Sequence, residues 1–205
     1  MPDTQFEIPH DVAVEGKMEA IRATHAYFDR VWGFLKQHQP PISCKRGCHG
    51  CCSEPVYVNY GEVELAVQSI KPQDLDYVTR QTANWVKIAK ESGLLKQEQP
   101  HVLDWLKMQL PCPFLRGGEC VVYEARPISC RAHNALDDAA LCHTLEGRKR
   151  QRYATWVELN MAATNMLAVV VSSVHDHLGV FLAAKLLGSK VESAATVSIE
   201  FSKDK

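Results

Sequence analysis

The chain carries no excess of either charge. Its 24 acidic and 23 basic residues leave a formal net charge of −1, so no broad basic field exists to draw in nucleic acid or an anionic membrane. Local basic runs, such as "GRKRQR" at 147–152, read as the solvated end of a helix. Long apolar runs are missing too. The longest, Met161 to Val174, is interrupted by Thr164, Asn165, Ser172 and Ser173 and falls short of the ~18 apolar residues a spanning helix needs. The amino terminus, "MPDTQFEIPHDVAVEG", has no apolar stretch of the signal-peptide kind. The expected setting is the cytoplasm, where thiols stay reduced, with no nucleic acid and no membrane as partner.

The chain also lacks a phosphate-cradling glycine loop, a GxGxxG fingerprint and a Ser-His-Asp arrangement. No pair of carboxylates stands at a spacing readable as a general acid and base. Internal repeats and low-complexity linkers are absent. What remains is ordinary globular material: 205 residues, 46% hydrophobic and 23% charged. That is enough for one domain with a real core, so cysteines are not needed as staples merely to fold.

Helical spacing dominates. Residues 1–13 read as a flexible tail, and 14–190 as one helical domain. Met18, Ile21, His25, Phe28, Trp32 and Leu35 recur every three or four residues along one helix face. His25, on that apolar face, reads as a hydrogen-bonded core histidine. Asn59 and Glu62 stand at capping-box spacing before "VELAV", predicting a helix start there. Pro72 opens a further helix with Leu75, Val78, Thr82, Trp85 and Ala89 inward, and Gly93 stops it. A short amphipathic piece carries Val102, Leu103, Leu106 and Leu110. Residues 111–136 look irregular, and a loop that long is uncommon unless something such as a metal orders it. A weak helix is expected from Leu136 to Gln151, and the strongest from Tyr153 to Leu178, followed by a short one in "GVFLAAKLLG". Residues 191–205 read as a tail or a short strand. His175 and His177, placed on the long helix, read as ordinary.

Eight cysteines are present, and seven fall in two stretches. The first is "CKRGCHGCC", with Cys44, Cys48, Cys51 and Cys52; the second holds Cys112, Cys120 and Cys130 in "CPFLRGGECVVYEARPISCR". Thiolates are soft ligands suited to zinc, Cu(I) and iron–sulfur clusters. In a reducing compartment such clustering points to ligands rather than disulfides. Gly47 and Gly50 allow tight turns in the first loop. Adjacent Cys51 and Cys52 fit either two metal positions or one ligand beside one buried thiol. Cys142 stands apart on the weak helix, where a free cysteine packs as a small hydrophobe.

These residues resemble the YkgJ-type cysteine-cluster family, also called the CxxCxxCC domain and described as zinc- or iron-chelating. The resemblance spans about residues 40–135 and rests on "CKRGCHGCC", "CPFL", "GEC" and "VYEARPISCR". Three residues separate the first two cysteines here, where the family's name has two. The resemblance implies a metal site of zinc or iron, the iron as ion or iron–sulfur cluster. Its ligands would be Cys44, Cys48, Cys51, Cys52, Cys112, Cys120 and Cys130. The family's distant kinship with flagellin lysine methylase implies an alternative, an S-adenosylmethionine-dependent protein lysine methylase.

Two histidines and two arginines lie beside the cysteines. His49 and His133 fit ligands, supporting donors or solvent-facing side chains. His143 neighbours Cys142. Arg126 and Arg131 bracket Cys130, either offsetting thiolate charge and gripping an anionic cofactor or substrate, or pairing with Glu124 or Glu119. The resulting expectation is a mostly α, single helical domain whose two cysteine-rich loops converge on a metal site. A third reading is a thiol redox sensor in which Cys51 and Cys52 oxidise when metal leaves.

Overall fold

The computed structural model describes residues 14–38, 41–54, 56–96, 102–155, 174–188 and 197–198. It is mostly helical, as the apolar spacing predicts. Helix α1 (Val14–Leu35) buries Met18, Ile21, His25, Phe28 and Trp32, the stripe read from the sequence. A short strand β1 (Tyr57–Asn59) runs into α2 (Tyr60–Gln68) through a complete capping box. The Asn59 side chain accepts from the Gly61 N–H at 2.8 Å, and Glu62 accepts from the Asn59 N–H at 3.1 Å. Two donors otherwise orphaned at a helix start are thus satisfied.

Helix α3 (Pro72–Glu91) buries Val78, Thr82, Trp85 and Ala89 and turns at Gly93, whose φ is +74°. Leu75, expected on the same face, is exposed because it lies in the first turn, ahead of the packed surface. Helix α4 (Val102–Met108) supplies Trp105, unanticipated by sequence, which stacks on Trp85 at 5.4 Å between ring centroids. The last long helix described, α7 (Leu178–Leu187), packs on α3 and α2. There Gly179 is obligatory, since a Cβ would lie 2.3 Å from the Trp85 ring.

The main core joins Ile21 and Phe28 of α1, Val63 of α2, Val78 of α3, Phe181 and Leu182 of α7, and Phe114, Val122 and Ile128 from the cysteine-bearing segment. Each fully buried side chain of this kind contributes roughly 1.5–3 kcal/mol. The scaffold therefore has its own cohesion.

Residues 111–136 are not an irregular loop. They form β2 (Leu115–Arg116), β3 (Glu119–Cys120), a 3₁₀ turn at Tyr123–Ala125, α5 (Ile128–Ala132) and β4 (His133–Ala135). The β2–β3 hairpin turns on Gly117 and Gly118, with φ of +59° and +83°, the left-handed pair that two-residue hairpins favour. The helix expected over 136–151 is divided in two. A 3₁₀ turn at Ala139–His143 precedes α6 (Leu145–Arg150), and Thr144 between them caps α6 by accepting from the Gly147 N–H at 3.0 Å. Both ends of the helix expected from Tyr153 to Leu178 are strands instead: β5 (Tyr153–Thr155) pairs with β4, and β6 (Val174–His177), which carries His175 and His177, pairs with β1. Pairing with distant strands outweighs local helical spacing there. The middle of that helix, 156–173, lies outside the described residues, as do 1–13 and most of 191–205. Val197–Ser198 form β7, on the far side of β6 from β1. No helix among the described residues is long and apolar enough to cross a membrane.

Candidate metal centre

The first cysteine loop is held by its own backbone and by three distant elements. A turn closed by the Cys48 N–H on the Lys45 carbonyl, 3.0 Å, passes through Gly47 at φ +85°. A 3₁₀ turn, Gly50–Ser53, then carries Cys51 and Cys52. Ser43 donates from its backbone N–H to the Ala135 carbonyl of β4 at 2.9 Å. Gly50 has ordinary backbone angles, and its small size answers a close approach: a Cβ would sit 2.4 Å from Cβ of Cys142. From α6, Arg148 donates to the Gly50 carbonyl, to Ser53 Oγ at 3.2 Å and to the Glu54 carboxylate. The basic run read as a solvated helix end thus turns one of its basic side chains inward, only 8% exposed. Arg148 clamps the loop, a role the sequence did not reveal.

The second group reaches the same place. Cys112 donates its N–H to the Cys52 carbonyl at 2.6 Å. Cys120 closes the hairpin opposite Leu115. Cys130 sits in α5, whose first amide, at Ile128, donates to Glu62 at 2.7 Å. Glu62 is itself buried and lies 3.3 Å from His25 Nε2, so one carboxylate joins α1, α2 and α5. The core reading of His25 holds.

All eight cysteines are free, and none of the seven expected ligands is fully exposed. Cys44 lies within electrostatic range of Cys48, Cys51 and Cys142; Cys112 lies within range of Cys130, Cys120 and Cys51. Burial pushes the Cys44 thiol up to about 11, against the pull of the Ala135 N–H, which donates to its sulfur at 3.1 Å. Burial also raises Cys112 and Cys130 strongly. Cys51 is raised by its hydrogen bond with Cys52 and then by burial. Cys120 is raised by burial, opposed by the Val122 amide, Arg126 and Arg46. These are neutral thiols that must shed protons to ligate.

The two arginines differ. Arg131 is spent on structure: it donates to the carbonyls of Arg126 and Glu124 and pairs with Asp29 at 2.6 Å. Its ion-pair partner is Asp29, not the carboxylate of Glu124 or Glu119. Arg126 has its guanidinium 3.7 Å from the Tyr123 ring centroid and a buried Nε without a hydrogen-bond partner. Its charge favours the thiolate forms of Cys120 and Cys130. Arg126 also lines a cavity of about 500 Å³ with Cys44, Cys48, Cys51, Cys130 and Tyr123.

His49 packs edge-on against His143, 4.7 Å between centroids, and its Nδ1 contacts the Gly47 carbonyl at 3.2 Å. His133 packs on Tyr153 at 4.5 Å, with Nε2 3.5 Å from the Glu54 carboxylate. Cys142 is buried, beside Gly50 and hydrogen-bonded to Tyr153. Its isolation in sequence is undone by the fold. Among the described residues, no three His, Cys, Asp or Glu side chains converge closely enough to hold a metal ion. The donor chemistry fits one nonetheless, being free sulfur ligands with a guanidinium beside them.

A helical domain with two thiol-bearing segments drawn to one junction is the class this fold defines. The chain belongs to the CxxCxxCC family, "Putative zinc- or iron-chelating domain", whose model matches residues 43–156. Comparison with curated proteins and with solved structures finds no match.

Proposed function

We propose that this protein chelates zinc or iron, the iron as an ion or an iron–sulfur cluster, through Cys44, Cys48, Cys51, Cys52, Cys112, Cys120 and Cys130. The observation that carries the reading is that Cys44, Cys48 and Cys51 of the first segment and Cys130 of the second line the same cavity. Soft sulfur from two distant stretches faces one cavity, which suits a metal and has no purpose in a purely apolar core. Arg126 would offset part of the thiolate charge once protons leave. Free thiols throughout are consistent with a reducing compartment, the cytoplasm. Neither a methylase nor a redox sensor gains support from the fold or the comparisons.

The deciding experiment is elemental analysis with an absorption spectrum on protein purified without oxygen. Stoichiometric iron with sulfide-to-iron charge-transfer bands identifies a cluster; colourless protein with stoichiometric zinc identifies a zinc site. Metal-free protein, unable to take up either metal on reconstitution, overturns the proposal.

A further inference from the structure

We propose that the cavity beside the cysteines binds a small organic anion, whose phosphate or carboxylate group is held by Arg126 with help from Lys36 and Lys45. The family description names a metal and no such ligand. The proposal uses the basic side of the cavity and requires no metal on the cysteine side.

Size is the first argument. The cavity measures about 500 Å³, within the roughly 300–1,000 Å³ of pockets that take small molecules. A bare metal ion fills only a small part of that space. Trp32, Ile42 and Tyr123 add apolar wall, which suits the body of an organic ligand.

Charge sets the sign of the occupant. The described lining residues include four permanently charged bases, Lys36, Lys45, Arg126 and Arg131, and one carboxylate, Asp29. Asp29 is already taken, paired with Arg131 at 2.6 Å. Three cationic side chains remain, and no carboxylate among the described lining residues is left to balance them. Lys36 and Lys45 are exposed and act as point charges, adding attraction more than geometry.

Arg126 supplies the geometry. Its guanidinium lies 3.7 Å from the Tyr123 ring centroid. A contact that close engages the flat face of the guanidinium, while its N–H donors lie in the plane at the edge. The buried Nε has no hydrogen-bond partner, an unmet donor that an oxyanion in the cavity would satisfy. The surroundings hold this fork in place. Arg131 donates to the Arg126 carbonyl at 2.8 Å, and Arg46, paired with Glu124, lies 4.5 Å from the same Tyr123 ring centroid. A fixed planar fork is what recognition of a phosphate or carboxylate needs.

The test is calorimetric titration of the full chain, purified without oxygen, with phenyl phosphate, benzoate and uncharged phenol. Metal content is measured on the same samples, and circular dichroism is the folding control. Phenyl phosphate or benzoate should bind, the stronger of the two identifying the head group, and phenol should not. Arg126→Gln should weaken that binding roughly ten- to hundredfold, as loss of a charged hydrogen bond does, and Arg126→Lys should recover part of it. The double variant Lys36→Gln with Lys45→Gln, at two exposed positions, should also weaken binding and reduce its salt dependence. Arg80→Gln, on α3 and paired with Asp76, should bind as wild type does. Failure of both anions to bind, phenol binding as tightly, or unchanged affinity in folded Arg126→Gln or in the lysine double variant overturns the anion site. Metal bound without anion binding overturns this proposal and leaves chelation standing. Anion binding by a chain that takes up neither zinc nor iron supports this proposal and overturns chelation.

Discussion

Gly50 and Cys142 touch so closely that no side chain fits between them: a Cβ on Gly50 would lie 2.4 Å from Cβ of Cys142 and 3.0 Å from its carbonyl carbon. Both are rigid parts of the chain, so neither can swing aside. Gly50→Ala should therefore push the two segments apart, lowering stability by roughly 1–3 kcal/mol and weakening metal retention. Gly47→Ala meets open space and strains only its own positive φ, for roughly 1–2 kcal/mol. Denaturant melts and chelator competition on the pair would check this; equal metal retention in both variants would contradict it.

Arg148 is expected to matter more than its setting in a basic run implies. Arg148→Met keeps most of the side chain's volume but strands the Glu54 carboxylate and the Gly50 carbonyl. Loss of one partner from a largely buried pair costs roughly 3–5 kcal/mol. Lys149→Met, on the exposed side of α6, should change stability within about 0.5 kcal/mol. Chemical denaturation of the two variants distinguishes them, and similar midpoints would remove Arg148 from the loop's support.

Glu62→Gln tests the join between helices and cysteines. A carboxylate accepts from Asn59 and Ile128 and lies beside His25; an amide has only one acceptor oxygen. Leaving one of those buried groups unsatisfied should cost roughly 1–3 kcal/mol. Thermal melts without metal would reveal it, since the bonds are made by protein atoms alone. An unchanged melting temperature would argue against the carboxylate's structural role.

Chelation should act unevenly. Phe114, Val122, Ala125, Ile128 and Ala132 anchor the second cysteine segment in the main core. The first loop contributes only Ile42 to that core's margin. Hydrogen exchange after metal removal should therefore rise most in residues 41–54, less in 112–132 and little in α1 and α3. Uniform loss of protection would mean that metal holds the whole domain together.

Much of the helical frame could be read because its determinants are local. Met18 to Trp32 repeat at helical spacing, and Asn59 and Glu62 need only three residues between them to form a capping box. The cysteine loops were legible through clustering. Cys142 was not, since its neighbours Gly50 and Tyr153 lie far away in sequence and no local pattern ties them to it. Arg148 was hidden similarly: charge runs usually face water, and only the turn at Thr144 aims this one inward. The order within 111–136 was underestimated because its elements are two to five residues long, too short to show a period. Strands β5 and β6 read as helix ends in sequence because their partners, β4 and β1, are what make them strands.

Glu62 also has a consequence in time. It fixes the first amide of α5, and Cys130 follows two residues later, so that sulfur is set in place by protein atoms alone. On the proposed reading, a newly made chain should complete its helical frame in metal-poor conditions with its cysteines still protonated. Metal supply would then set occupancy rather than survival of the polypeptide. A site built in that order would surrender its metal and be refilled without passing through the unfolded state.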